Sequence, residues 1–246
     1  MISEQTKQEL DRLHSVQKDY RPTASVAANL QTKTILMFVG ATCVGKNTVM
    51  QTVAELNPDF RVTGNRTSRA PRTDDDHSRY TYYQNSDEGL RRVLDEIKKG
   101  KVVQYAIHQY SHQIYATTIA DYPGIYNLAD VLSSAVHNFR QLGFRQAIAI
   151  SVVAEPTVWR QRFEARFPAG HSDRQARRDE AIESLTWSLA QPDGNGEHFW
   201  VQNIDGQPEI AAQAVIDIAT TGTGQGAPEA RAWAEACLAL AQSIQI

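Results

Sequence analysis

Residues 40–48, Gly-Ala-Thr-Cys-Val-Gly-Lys-Asn-Thr, combine residue types that bind phosphate. Gly40 and Gly45 let the backbone turn so that successive N–H groups of Ala41, Thr42, Cys43, Val44 and Gly45 point at anionic oxygens. Lys46 adds a full positive charge, and a helix opening at that point adds the partial charge of its free amides. Such a loop takes the phosphates of a nucleoside triphosphate when it follows a strand and opens a helix. Both conditions are met. The preceding TILMFV is an apolar run of strand length, and GKNTVMQTVAEL has helical spacing up to Asn57-Pro58. Asn47 occupies the position where a hydroxyl usually helps hold magnesium. Its side-chain carbonyl and the Thr48 hydroxyl are the candidate metal ligands, with water and phosphate oxygens completing the shell. Cys43 places a thiol inside the loop.

A second constellation lies in NRTSRAPRTDDDHSRYTYY, residues 65–83. Arg69 and Arg72 flank Ala70-Pro71, a stiff spacer, and two guanidinium groups so placed can clamp a dianionic phosphate. Tyr80 offers a hydroxyl. Taken alone, the stretch reads equally well as a solvated basic loop neutralised by Asp74, Asp75 and Asp76. Arginines recur in EPTVWRQRFEARF and RQARRDEAIESLTWSLA, where the plain reading is a solvated helix face.

The elements that must position these residues alternate. After the loop helix come SDEGLRRVLDEIKKG, a helix capped by Ser86, and the strands KVVQYAIHQY and HQIYATT. ADVLSSAV and QAIAISVVA read as strands around a short helix VHNFRQLG. The two arginine-rich helices follow, then a strand HFWVQN and a helix QPEIAAQAVIDIA. Alternation of this kind predicts an α/β fold with a mostly parallel sheet. Residues 1–33 read as a short amphipathic helix (Leu10, Leu13, Val16, Tyr20) and a polar linker. Residues 219–246 read as a Gly/Thr-rich linker and a closing helix. The terminal helices can pack on the core, mediate a homodimer, or stay loose.

Composition bounds the function class. The 246 residues are 41% hydrophobic and 22% charged, enough for a sizeable core. The net charge of −3 argues against a nucleic-acid binder. Two cysteines make no disulfide framework, and no apolar run reaches membrane-spanning length. The N-terminus lacks the pattern of a secretory signal, so the expectation is a soluble cytoplasmic protein with no membrane partner.

In this order, the motifs resemble the guanylate kinase family of P-loop nucleoside monophosphate kinases. The family loop G-P-S-G-x-G-K, followed by Gly or Ser and Thr, is similar to Gly40–Thr48. The family's T-T-R-x-P-R and Y-x-F are matched by Thr67-Ser68-Arg69-Ala70-Pro71-Arg72 and Tyr80-Thr81-Tyr82. Y-G-T is matched by Tyr115-Ala116-Thr117. L-x-x-R-L-x-x-R is similar to Trp159–Arg166, R-L-x-x-A to Arg177–Ala181, and V-x-N to Val201-Gln202-Asn203. The resemblance covers about 34–218. It implies a three-layer P-loop NTPase sandwich with a small β-rich acceptor-binding insert (about 65–118) and an arginine-rich lid (about 160–185). It further implies ATP and Mg2+, with Lys46, the loop and Asn203 on ATP. Arg69, Arg72, Tyr80 and Tyr115 would hold the acceptor phosphate, and Arg162, Arg166 and Arg177 would close over the transferring group.

The base-reading positions depart from the family. Its strand glutamate aligns with Gln104, which cannot present the two acceptors that match guanine's donor edge. Its D-V-L-L-D-I-D aligns with Asp130–Val136, so both later aspartates are replaced, by Ser134 and Val136. Asn65 aligns with a base-contacting serine, and Thr117 completes the candidate base set. A shifted register would give Asp130 the later role. The expected acceptor is GMP or a related purine nucleotide. The alternatives are a sugar phosphate, as in ribose 1,5-bisphosphate phosphokinases, and a non-catalytic binding module, which Lys46 disfavours. A different P-loop ATPase is disfavoured because IAISVVAE ends in Glu155-Pro156 rather than in an aspartate.

Overall fold

The computed structural model describes residues 2–71, 79–107, 111–192, 196–224 and 226–245. In chain order its elements are α1 (Glu4–Val16), α2 (Ala24–Leu30), β1 (Thr34–Val39), α3 (Lys46–Leu56), β2 (Phe60–Val62), β3 (Asn65–Thr67) and β4 (Tyr80–Tyr82). Then follow α4 (Asp87–Lys98), β5 (Gln104–Ile107), β6 (Ile114–Thr117), β7 (Tyr126–Asp130), α5 (Val136–Arg140) and β8 (Gln146–Ala154). The chain closes with α6 (Pro156–Arg166), α7 (Arg174–Leu189), β9 (His198–Asn203), α8 (Pro208–Thr221) and α9 (Ala227–Ser243). The chain divides into two compact units. The smaller comprises Met1–Thr34, Arg61–Asn127 and Asn138–Gln146; the larger comprises Ile35–Phe60, Leu128–His137 and Ala147–Ile246.

The larger unit holds most of a five-stranded, mostly parallel sheet of order β2-β7-β1-β8-β9. Strand β1 lies in its middle and is buried along its whole length, as its unbroken apolar sequence requires. The strands that follow β1 in the chain lie on both sides of it, so the crevice beyond its carboxyl end is where such sheets place ligands. The phosphate loop leaves that end. Helix α9 buries Ala230, Ala234, Cys237 and Ala241 within this unit. It packs on α6, α7 and β9.

The smaller unit is built on a four-stranded sheet of order β4-β3-β6-β5. One face packs Tyr105, Ile107, Ile114 and Ala116 against Leu90, Val93, Leu94 and Ile97 of α4, together with Leu10 and Leu13 of α1. Ser86 caps α4 by accepting from the Gly89 amide. The N-terminal helix is therefore a core element of this unit.

Four sequence expectations are corrected. Residues 21–33 are not a linker throughout: α2 forms there, Leu30 is fully buried, and the Leu30 and Lys33 carbonyls accept from the Arg145 amide. Residues 220–229 are not a linker throughout: Thr220 and Thr221 belong to α8, ended by Gly222, left-handed at φ 72°, and Ala227–Glu229 belong to α9. The strand expected in ADVLSSAV ends where it was expected to begin. β7 runs Tyr126–Asp130, and Ser133–Ala135 form a 3-10 turn closed by donation from the Ala135 amide to the carbonyl of the exposed Leu132 at 2.9 Å. The strand expected in KVVQYAIHQY begins only at Gln104, and residues 108–110 lie outside the described residues. Strands β2, β3 and β4, of three residues each, are too short to show a period in sequence. Among the described residues no helix is long and apolar enough to cross a membrane.

Candidate active site

The phosphate loop is held by contacts that only its own residue types allow. A Cβ at Gly40 (φ 152°) would meet the Val152 carbonyl oxygen at 2.5 Å, so the loop can pass close over β8 only as glycine. Gly45 (φ 89°) stands against the Asn203 amide, which donates from Nδ2 to the Val44 carbonyl at 2.7 Å. Trp159, fully buried on α6, donates its indole N–H to the Thr42 carbonyl at 2.9 Å. Cys43 adopts φ 70°, a conformation costing about 1–3 kcal/mol for a non-glycine residue and typical of ligand-binding turns. Helix α3 starts at Lys46, so its first-turn amides have no partner within the helix. Lys46 Nζ donates to the Gly40 carbonyl at 2.7 Å and lies 3.6 Å from Asp130 Oδ1.

These groups line a cleft of about 670 Å³ in the larger unit. Ala41–Thr48 form one side; Asp130, Arg162, Arg166 and Asn203 complete it with Ile204, Gly206 and Pro208. On α6, Trp159 and Phe163 are fully buried at i, i+4 spacing, which turns Arg162 and Arg166 away from the core and toward the cleft. Arg162 pairs with Asp205. Burial pushes the Cys43 thiol pKa up, against the opposing pull of Arg166 and Lys46. Arg177, on α7, pairs with Glu180 at 2.6 Å and is not among the residues that line the cleft.

Asp130, which the sequence offers only as a base contact under a shifted register, is a candidate site residue at the loop instead. The strand YNLAD ends in it, beside β1, so its carboxylate arrives at the loop from the neighbouring strand end. The signal was present, an apolar run ending in aspartate, but the strand had been placed after it. The donor set suits magnesium. Among the described residues no cluster of three or more His, Cys, Asp or Glu could hold a metal. Asp130, the Thr48 hydroxyl and the Asn47 carbonyl offer a few oxygens, and magnesium takes few protein ligands beside phosphate and water. Asn47 and Thr48 both line the cleft.

In the smaller unit, strand register gathers the acceptor candidates on the sheet face opposite α1 and α4. Asn65 stands beside Tyr80, and Thr67 beside Tyr82 and Tyr115. Gln104 stands opposite Thr117. Directly paired residues share a face and successive ones alternate. Asn65, Thr67, Tyr80, Tyr82, Gln104, Tyr115 and Thr117 therefore project together. The Arg69 guanidinium lies 5.0 Å from the Tyr80 ring centroid and 5.9 Å from that of Tyr82. Among the described residues this face carries no carboxylate. Arg72 and Asp74–Asp76 lie outside the described residues. Arg66, also in the arginine-rich stretch, is structural: its Nε donates to Asp121 Oδ2 at 2.8 Å, an oxygen that also accepts from Thr118.

The base candidates divide. The Thr117 hydroxyl is engaged by the Tyr122 hydroxyl at 2.9 Å, and both residues are buried. Ser134 is exposed on the 3-10 turn of the larger unit and does not belong to this sheet. Gln104 is half-buried on the sheet face. Asn65 Oδ1 is shielded from solvent with no hydrogen-bond partner among the described residues.

No protein-family model and no curated protein matches the sequence. Among solved structures, a guanylate kinase from Anaplasma phagocytophilum is similar over 77% of this chain and 85% of its own, at 12% identity and a TM-score of 0.47. The chemistry of the site therefore rests on its own residues.

Proposed function

We propose that this chain is an ATP-dependent phosphotransferase that moves the γ-phosphoryl group of ATP to the phosphate of a small acceptor, foremost a purine nucleoside monophosphate. The observation that carries this reading is the meeting of the Ala41–Thr48 loop, Lys46, Arg162 and Arg166 around one cleft. Loop amides and Lys46 hold the donor phosphates, and the two arginines face the volume in which charge redistributes. During transfer, the bond from the γ-phosphorus to the bridging oxygen breaks as an acceptor phosphate oxygen bonds to that phosphorus, and ADP leaves. The attacking oxygen is already anionic, so no general base is needed. Positioning and electrostatics supply the catalysis. Asp130, Thr48 and Asn47 would hold Mg2+, which when bound neutralises phosphate charge. For Arg177 to join Arg162 and Arg166, its pair with Glu180 has to open.

Arg69, Tyr80 and Tyr115, with Arg72, would receive the acceptor phosphate, and Gln104 and Asn65 would read what it is attached to. An amide offers one donor and one acceptor, whereas guanine's N1–H and amino group call for two acceptors. This supports a purine lacking that donor pair over guanine itself. The absence of carboxylates among the described residues of this face, with Thr117 engaged by Tyr122, also supports a sugar phosphate as the second acceptor class. A coupled ADP-release assay across GMP, dGMP, AMP, IMP and ribose 1,5-bisphosphate tests the reading, with the highest kcat/KM expected for AMP or IMP. No turnover of any acceptor, together with no ATP binding, would sink it. Turnover confined to ribose 1,5-bisphosphate would move the acceptor to the sugar class.

A further inference from the structure

Strand β5, which carries Gln104, is the edge of the four-stranded sheet, paired among the described residues with β6 alone. An edge strand of four residues has free N–H and C=O groups along its rim and little to fix its register. Here the N-terminal segment occupies that rim. Gln17 Oε1 accepts from the Ile107 amide at 2.7 Å, and His14 Nδ1 lies 2.8 Å from the Ile107 carbonyl oxygen. Two side chains thus satisfy both backbone groups of one strand residue, as a neighbouring strand would. Tyr20 donates its hydroxyl to the Val102 carbonyl at 2.8 Å, and the Thr23 amide donates to the Gly100 carbonyl at 2.9 Å. Reciprocally, the Tyr105 hydroxyl donates to the Leu13 carbonyl at 3.1 Å, and the Tyr20 and Tyr105 rings meet edge-on at 4.9 Å.

Attachment and placement have different sources. Leu10 and Leu13 hold α1 on the unit by burying apolar surface, which is non-directional. The hydrogen bonds are directional and fix where along the strand the segment sits. Ion pairing of Glu9 with Lys98 at 2.5 Å and donation from the Ser3 amide to Asp87 Oδ1 at 2.8 Å pin the same helix to α4. On β5, Tyr105 and Ile107 turn toward this segment while Gln104 turns to the acceptor face. Functional groups need placement to about 0.5 Å, which a strand held on one side alone does not provide.

We propose that residues 3–23 are a positioning brace for the acceptor site, in which Gln17, His14 and Tyr20 substitute for a fifth strand and hold Gln104 in register opposite Thr117. The brace rests on the acceptor-face reading above. Gln17 is a positioning residue that touches no reacting group, so its removal acts on acceptor recognition and not on the donor cleft.

The test compares Gln17→Leu with Gln17→Glu, which keeps an acceptor oxygen at the same reach. Hydrogen exchange across Gln104–Ile107 is measured in both, alongside the KM for acceptor, the KM for ATP and kcat. Gln17→Leu is expected to raise exchange at the Ile107 amide and the acceptor KM about tenfold each, with kcat and the ATP KM within about twofold. Gln17→Glu is expected to restore both. Unchanged Ile107 exchange in Gln17→Leu overturns the brace, as does an equal loss in the acceptor and ATP parameters, which marks general destabilisation. If the wild-type protein turns over no acceptor, the phosphotransferase reading fails alone. The brace is then decided by whether exchange at Gln104 and Ile107 rises together in Gln17→Leu and recovers in Gln17→Glu.

Discussion

The phosphate cleft is built mainly from backbone, the acceptor face mainly from side chains, and the two encode recognition differently. In the cleft, loop amides and a helix start face the ligand volume, and side chains such as Asn203 and Trp159 serve chiefly to hold the loop. A backbone site tolerates exchange at positions whose side chains are not the binding groups, so the proposed phosphate site does not depend on a hydroxyl at Asn47. On the proposed acceptor face each residue would contribute its own chemistry, so the amide of Gln104 would favour a different ligand edge from a carboxylate. A cleft of the first kind fixes the reaction class, and a face of the second kind fixes the substrate.

The largest effect that would break this comparison is at Lys46, the one full charge directly on the loop. Lys46→Met is expected to lower kcat on the order of 10²–10³-fold, the scale for removing one electrostatic partner of a transition state. The acceptor KM should stay near wild type. Steady-state kinetics with either substrate varied measure this; an unaltered kcat would remove the cleft from the chemistry. Arg69→Ala is the counterpart on the other region. Losing a charge-assisted phosphate contact of roughly 1.5–3 kcal/mol should raise the acceptor KM about 10–100-fold and leave the ATP KM unchanged. Arg69→Lys should not restore it, because the planar group lying against Tyr80 is part of the geometry. Acceptor KM at the wild-type level in Arg69→Ala would contradict the phosphate assignment.

How far each region was legible follows from the same contrast. Gly40, Gly45 and Lys46 announce the loop because a tight turn and a helix start leave their mark in seven consecutive residues. The α/β alternation was equally plain in long apolar strands such as β1 and β8. Asp130 was visible as an alternative base contact but not as a neighbour of the loop, since its place at a strand end depends on where a five-residue strand stops. The acceptor face was harder still. Asn65, Gln104 and Thr117 share a face only through the pairing of three- and four-residue strands, and no local pattern states that register. The N-terminal helix was readable from Leu10 and Leu13. What its side chains cover was not, because the contacts of Gln17 and His14 reach a residue about 90 positions away.

A smaller effect sharpens the substrate side. Gln104→Glu places a carboxylate where the amide stands and presents two acceptors to the ligand. The ratio of kcat/KM for GMP over IMP is expected to rise about tenfold, the lower range for a gained polar match in a specificity pocket. An unchanged ratio would mean that Gln104 does not face the variable part of the acceptor, and a fall in ATP affinity would point to damage outside it.

The smallest effect compares the two units through one carboxylate at a helix start in each. Asp87 in the smaller unit has its pKa lowered chiefly by the Ser3 amide, with help from the Thr6 hydroxyl. Glu155, capping α6 in the larger unit, is lowered chiefly by the Thr157 hydroxyl and also by the Thr157 and Val158 amides. In both, the folded state favours the ionised form, so between the folded and unfolded pKa values the unfolded chain binds more protons. Their stabilisation is thus fully present above the ordinary carboxylate range and is lost as pH falls through the depressed folded value. Asp87→Asn retains an acceptor for the Ser3 amide at every pH and removes the titration. Hydrogen exchange of α1 followed from pH 6 down to pH 3 should therefore show a shallower acid loss of protection in Asp87→Asn than in the wild type, and the first turn of α6 should behave identically in both. Parallel acid profiles for α1 would show that the Ser3–Asp87 contact contributes nothing to the placement of the brace at its start, leaving Leu10, Leu13 and the Glu9–Lys98 pair to hold it.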